Sequence, residues 1–542
     1  MNLKSLLLAV LMILYLYSSA LSSSMDEKFL KCLLQDSNAP SDIVFTKEDT
    51  EFSSVLQSTI INLRFSTSTT PKPVAIIKAS KYSHVQCAVL CSKSFGIRIR
   101  IRSGGHDYAG LSYTSYDNDQ SPFVVLDLKD LRSIRIESSE KTAWVESGAT
   151  IGELSYWAYQ ESQNLGFPAG ICPTVGVGGQ ISGGGFGTMV RKYGLAADNV
   201  IDARIVDVNG RILDRKSMGE DLFWAIRGGG GGSFGVVIAW KVNLVYVPNI
   251  VSVFTLSKTL EEGGSDLFHK WQYIGHELSQ DLFIGVSIQP ALNKAGNKTI
   301  QVTFSSMFLG TVDELIKTVS HGFPELGLQE KDCTEMSWID SVLYFANYPL
   351  AEGINVLRDR TPEPRSYFIG KSDYVKELIP KERLDEIWKW CMEENNVFLV
   401  IEPHGGIMDE IEETSTPYPY RKGYLYNIQY FENWEDDSVE ASKKHISGMR
   451  MIYENMTPYV SKNPRSAYVN YRDLEIGKND NASNTSYLEA IKWGSKYFSD
   501  NFKRLAMVKG VVDPDNFFYH EQSIPPLIMS KKDSDVGSYQ SF

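Results

Sequence analysis

Between Gly166 and Gly187 the chain reads GFPAGICPTVGVGGQISGGGFG, and Gly176, Gly178, Gly179, Gly183, Gly184, Gly185 and Gly187 leave the backbone almost bare. So many glycines cost conformational entropy on folding. The composition suits a backbone pressed against a large flat ligand or against phosphates. Val175, Val177, Ile181 and Phe186 are interleaved with the glycines and argue against a flexible surface loop. Cys172 sits in the same stretch, between Pro168 and Pro173.

Two further stretches share this texture. In IRIRIRSGGHDYAG a strict Ile/Arg alternation predicts a strand, which breaks at Ser103-Gly104-Gly105 and places His106 directly after the turn. Successive N–H groups in such a turn form a nest for phosphate oxygens. No Gly-Lys-Ser/Thr follows and the spacing is not GxGxxG, so neither a Walker loop nor the dinucleotide fingerprint is present. In DLFWAIRGGGGGSFGVVIAWKV a helix ends at Trp224 to Ile226, Gly228 to Gly232 turn, and Gly235 to Val242 read as a buried strand.

The 542 residues are enough for two or more domains. A net charge of −12 disfavours nucleic acid or an anionic membrane as the main partner. The leader, residues 1–24, has one early lysine, an apolar run and a small-residue tail, and reads as a secretory signal peptide rather than an anchor. Secretion permits disulfides. Six cysteines contain no CxxC pair, so no metal site is expected. Cys87 and Cys91 share one helix face, and either could bridge to Cys32. Glycosylation sequons start at Asn297, Asn455, Asn481 and Asn484.

Short strands alternate with helices through the first half: VAIIKAS, GIRIRIR, FVVLDL and TAWVESG against SHVQCAVLCSKS and TIGELSYWAYQES. Beyond about Val245 glycine thins and longer amphipathic segments appear between strands such as TIQVTFSSMFLG and GYLYNIQYF. A turn-rich, aromatic C-terminal segment then returns toward the first domain, and residues 528–542 form a polar tail read as disordered.

The ordered motifs TPKPVAII, IRIRSGGHDYAGLSY, CPTVGVGG, SGGGFG, RKYGLAADN, SMGEDLFWAIRGGGGGSFG, VNYRDLEIG and DPDNFFYHEQSIPPL resemble the plant berberine bridge enzyme-like oxidases. These are flavoproteins of the vanillyl-alcohol oxidase superfamily, and cannabinoid oxidocyclases and indole-alkaloid oxidases are similar over the same length. The resemblance implies an α+β, two-domain fold: an FAD-binding domain (25–245), a substrate domain (246–462) whose antiparallel sheet is covered by helices, and a C-terminal segment (463–527) completing the FAD domain and active site. It also implies a Cys32–Cys91 disulfide.

The same resemblance assigns residues. FAD is the cofactor, bonded through His106 to the 8α-methyl of the ring and through Cys172 to ring carbon 6. Ser103, Gly104 and Gly105 approach the pyrophosphate side, with Gly178, Gly179 and Gly184 also on the cofactor. Val175 matches a position that gates oxygen, where valine goes with oxidases. Tyr471 matches the tyrosine base of cannabinoid-forming relatives, and a phenol with pKa near 10 needs activation for that role. Asn427 and Gln429 share one strand face. The alkaloid-cyclising relative has a glutamate base where this chain has Gln429, which counts against that kind of ring closure; Gln429 instead positions substrate or a tyrosine. Monolignol-oxidising members carry lysine in place of Asn427. Tyr108, Phe186 and Asn427 are candidate substrate contacts, and relatives often have Tyr in place of Phe186. His404, a lone histidine in EPHGGIMDE, is read as structural.

The expected function is a secreted oxidase that passes a hydride from a plant specialised metabolite, alkaloid amines first, to bicovalently held flavin, with O2 as acceptor and H2O2 as product. The expected partners are a small-molecule substrate and O2, with no nucleic acid and no membrane, and the chain is expected to be a monomer of the extracellular space, cell wall, vacuole or vesicle. A carbohydrate oxidase or monolignol-type alcohol oxidase is the alternative. A flavin-containing binder without net oxidation is a third reading, opposed by the intact His106, Cys172, Val175 and Tyr471.

Overall fold

The structure, a computed structural model, describes residues 27–34, 41–116, 121–361, 365–393, 397–480 and 485–528. The leader, Asn481, Asn484 and residues 529–542 of the tail lie outside the described residues. Among the described residues three larger β-sheets, a two-stranded pairing of Leu165–Gly166 with Val245–Tyr246, and flanking helices make up the α+β fold.

The first sheet has four strands in the order Val44–Thr46, Ala75–Lys78, Phe123–Asp127, Arg98–Arg102, and its last three strands are parallel. Its edge strand is the Ile/Arg alternation. Both faces of that strand are largely buried, because each inner arginine has a fixed carboxylate. Arg102 pairs with Asp127 at 2.7 Å and Arg100 with Glu521 at 2.9 Å. A buried guanidinium without such a partner would carry a large desolvation cost. The helix Tyr82–Phe95 packs on this sheet, and its Cys91 forms the expected disulfide with Cys32.

The second sheet is antiparallel, ordered Ile134–Glu137, Thr142–Glu146, Val236–Asn243, Val200–Val206, Ile212–Leu213. One hydrophobic core unites this sheet with the helices Tyr487–Phe498 and Asn501–Val512 from near the C-terminus. Lys509, fully buried, ties the two together: its ammonium donates to Ser233 O, Phe518 O and Asp513 Oδ2.

The third sheet has seven antiparallel strands, ordered Cys333–Met336, Val251–Thr259, Lys298–Phe308, Leu282–Leu292, Val397–Pro403, Tyr426–Trp434, Tyr367–Val375. Helices Gly264–Ile274, Lys381–Glu393 and Val439–Asn455 bury Phe268, Trp271, Trp388 and Met449 in a core that includes one face of this sheet. The other face is left for the cavity described below. Asn297 is exposed in the hairpin before Lys298–Phe308. Asn455, the last residue of its helix, is half-buried and its amide donates to Met451 Sδ at 3.0 Å.

Candidate active site

A cavity of about 400 Å³ lies where the three sheets and the C-terminal segment meet. Ser103, Gly104, Gly105 and His106 enter it from the end of the strand Arg98–Arg102. Cys172, Val175, Gly176, Gly178 and Gly179 enter it from the second glycine stretch, and Gly230 to Gly232 from the third.

The first two loops hold each other. A methyl group on Gly104 would stand 2.3 Å from Gly176 N, and one on Gly176 would stand 2.1 Å from Ser103 Oγ. These glycines are required by mutual backbone approach. Gly179 is different: a methyl there would meet nothing within 4 Å, and the bare backbone opens onto the cavity. The Cys172 loop is also pinned to the start of the helix Ile151–Glu161. There Ile151 N donates to Val175 O, Gly152 N to Pro173 O, and Thr150 and Glu153 form a capping box.

His106 is half-buried in the cavity wall, and desolvation lowers its pKa to about 4, so the imidazole is neutral at physiological pH. Its Nε2 lies 3.1 Å from Thr174 Oγ1, two residues after Cys172. The Cys172 thiol has exposed surface because it opens onto the cavity rather than into packed core, while the surrounding protein raises its pKa. Both linkage candidates are therefore neutral and open onto one space.

Ser103 spends its hydroxyl on Ser147 O at 2.5 Å, so only its backbone is left for a ligand. Among the described residues the N–H groups of Gly104 and Gly105 have no hydrogen-bond partner, as a phosphate nest needs. Ser147 Oγ, Gln180 Oε1 and Tyr519 OH are buried in the cavity wall without partners. A cradle of bare backbone, unpaired polar atoms and the His106/Cys172 pair fit FAD, and His106, Cys172 and the Ser103–Gly105 turn would hold it.

The opposite wall belongs to the third sheet. Period-two alternation directs Val400 and Glu402 of the strand Val397–Pro403, and Gln429 of Tyr426–Trp434, into the cavity. Gln429 Nε2 donates to the Tyr108 hydroxyl. The Tyr108 ring stacks on Tyr471 with centroids 5.5 Å apart and meets Phe368 edge-on at 5.3 Å. Gly370 makes room for it: a methyl there would stand 2.6 Å from Tyr108 Cε2. Phe186 and Tyr468 complete an aromatic enclosure.

The structure departs from the sequence expectations at four places. Asn427 is 1% exposed and does not line the cavity; it sits directly opposite Glu402 in the strand register, and of that pair only Glu402 reaches the cavity. Gly184 also lies outside the cavity. Its φ of 125° ends the helix Val177–Gly183 beside Leu195 and Tyr468. Tyr471 lines the cavity, but its surroundings oppose a tyrosinate: burial, then the nearby acidic groups of Glu402, Tyr108, Tyr468 and Cys172, push its pKa well above the phenol range. Among the described residues no side chain hydrogen-bonds its hydroxyl. The fourth is a residue that the sequence reading passed over. Glu402 lines the cavity; burial raises its pKa to about 7, and among the described residues Asn427 is the one side chain that acts on it, by a hydrogen-bonding contact that lowers it. His404, next to it, is fully buried behind Phe186 and shares a hydrogen bond of 3.1 Å with Tyr418, in keeping with a structural part.

The sequence and the fold both have relatives. Residues 73–215 match the FAD binding domain family and residues 467–525 match the family described as berberine and berberine like. The chain is 50% identical over 527 residues to O-acetylstemmadenine oxidase of Catharanthus roseus, covering 96% of this chain and 98% of that one. It is 49% identical over 516 residues to tetrahydroberberine oxidase of Berberis wilsoniae, covering 94% and 96%. Among solved structures, a grass pollen allergen with glucose dehydrogenase activity superposes with a TM-score of 0.87 at 44% identity, covering 92% of this chain and all of that one.

Proposed function

The chain belongs to the berberine bridge enzyme-like family and is an FAD-dependent oxidoreductase, and from that premise we propose that it oxidises an alkaloid-type amine of plant specialised metabolism, using O2 and releasing H2O2. The observation that carries the substrate class is the aromatic enclosure. Tyr108, Phe186, Tyr468 and Tyr471 surround the space beside Cys172, with Gln429 and Glu402 as the polar groups of the sheet wall. Such a wall suits a flat polycyclic amine. A sugar oxidase needs a polar donor or acceptor for most substrate hydroxyls, and this wall supplies few.

FAD, once bound, supplies the two-electron acceptor. The protein's part is positional. His106 and Cys172 fix the ring at two points, which favours hydride removal from unactivated carbon. The strand pair holding Val400 and Gln429 presents substrate to the opposite side, and the Tyr108–Tyr471 stack limits its tilt. Val175 keeps the approach to the ring narrow yet open for O2. The leader directs the chain into the secretory pathway, where it works as a monomer.

Peroxide release from a panel of alkaloid amines, monolignols and sugars tests the reading. Turnover of amines supports it; turnover of glucose or oligosaccharides alone replaces it with the carbohydrate reading that the pollen relative represents.

A further inference from the structure

We propose that Glu402 pairs with the protonated nitrogen of the substrate in this cavity and takes its proton, so that the substrate enters as an ammonium ion and is oxidised as the free amine. This rests on the amine reading above and assigns the acid–base group that reading lacks.

Position carries the inference. Glu402 stands on the cavity face of the strand Val397–Pro403, two residues from Val400 and diagonally across from Gln429. Among the described residues no cationic side chain pairs with either carboxylate oxygen, Asn427 is the one polar side chain acting on the group, and Oε2 is sealed from solvent. Asn427 faces it across the strands without a bond of good geometry, and both amide atoms of Asn427 are themselves unpartnered. A buried carboxylate without a partner is costly. Three other buried acids nearby each have a cation: Asp373 has Arg465, Asp473 has Lys371, and Asp198 has Arg421. The titratable groups facing Glu402 are Tyr108, Tyr468, Tyr471 and Cys172, all neutral with raised pKa values. No lysine, arginine or histidine acts on it. The missing partner is therefore a cation that comes from outside, and the rings around it favour one with apolar substituents.

The chemistry balances. An alkylammonium with a pKa near 10 leaves about one part in a thousand as free amine at pH 7, and only the free amine has a lone pair to expel a hydride. The N–H proton passes to a Glu402 oxygen, giving a neutral carboxylic acid and a neutral amine. The adjacent C–H bond then breaks, its electron pair leaves as hydride to the oxidised flavin, and the nitrogen lone pair closes the C=N bond of an iminium product. The Glu402 proton returns to solvent as product departs. With a carboxyl group poised near neutrality, neither direction of transfer is blocked.

The test uses flavin-loaded, full-length enzyme and two redox-inert probes of one shape: benzyltrimethylammonium and its neutral counterpart neopentylbenzene. Binding is read from the perturbed flavin absorbance. The wild type should bind the cation at least tenfold more tightly than the neutral probe. Glu402→Gln, checked for unchanged flavin content, should erase that preference while leaving neopentylbenzene unaffected, and Glu402→Asp should keep part of it. Equal binding of the two probes by the wild type, or an undiminished preference in Glu402→Gln, overturns the proposal. Preference for the cation together with turnover of sugars alone would instead sink the amine reading and leave Glu402 as a cation site.

Discussion

Gln429 donates a hydrogen bond from Nε2 to the hydroxyl of Tyr108, across 321 residues of sequence. Tyr108 in turn stacks on Tyr471. One amide on the third sheet thus sets the tilt of two rings that come from a loop of the first sheet and from the C-terminal segment.

If that amide is a positioning group, Gln429→Leu should lower the limiting rate of flavin reduction by about tenfold through loss of alignment, with flavin content unchanged. Gly370→Ala should do the same from the opposite side, by pushing on the Tyr108 ring. Stopped-flow reduction of the two variants checks this; a rate within twofold of wild type in both would remove the positioning role.

Tyr471 is held as a neutral phenol first by burial and then by its acidic and phenolic neighbours. Tyr471→Phe should therefore slow flavin reduction by less than about tenfold, against the 100-fold or greater loss that general-base removal can give. Side-by-side single-turnover measurements with Glu402→Gln decide which group moves the proton.

The covalent anchors make separate predictions. After acid precipitation, wild-type protein should stay yellow, His106→Ala and Cys172→Ala should each keep flavin by one bond, and the double variant should release all of it. Because desolvation holds the pKa of His106 near 4, its imidazole is uncharged down to about pH 5, and the histidyl bond should form equally well at pH 5.5 and pH 8. Mass analysis of flavin-bearing peptides reads both results.

Two glycines separate folding from cofactor capture. Gly104→Ala forces the new methyl into the backbone of Gly176 and should leave little folded protein. The Cβ of Gly179→Val meets nothing within 4 Å, and the variant should give a folded, colourless chain. A flavin-loaded Gly179→Val protein would show that this backbone is not against the cofactor.

Burial of Glu402 also has a cost in stability. Its folded-state pKa, about 7, is raised above the ordinary value of 4.5. The folded chain therefore holds this proton more tightly than the unfolded chain does. That contribution is full below about pH 4.5 and is lost as pH rises through 7. Glu402→Gln should raise the melting temperature by a few degrees at pH 8 and leave it nearly unchanged at pH 4.5. Calorimetry at both pH values would detect a loss of stability at pH 8, the contrary result.

The glycine stretches were readable because bare backbone at that density has few uses, and strands such as Arg98–Arg102 because their alternation is strict. Glu402 was not readable. In VFLVIEP it looks like the outward residue of a half-exposed strand, and nothing local shows that the outward face is covered. The covering comes from Tyr108, Cys172 and Tyr471, up to about 300 residues away in the chain. Asn427 was misplaced for the complementary reason. Alternation gave its face correctly but not which member of the Glu402–Asn427 cross-strand pair reaches the cavity. The pairing of Arg100 with Glu521 was equally invisible, since a buried ion pair of that separation leaves no local pattern.

Tyr468, Asn470, Tyr471, Arg472, Tyr519 and His520 all belong to the cavity wall, so the wall is finished by residues made after both anchor residues and all the sheet strands. The sheets of the first half have strands enough to begin assembling during synthesis. The flavin, however, finds only an open trough until the final helices dock through Lys509. Loading must then follow docking of this segment, and a truncation before Tyr468 would yield protein with both anchor residues intact and the wall opposite them missing.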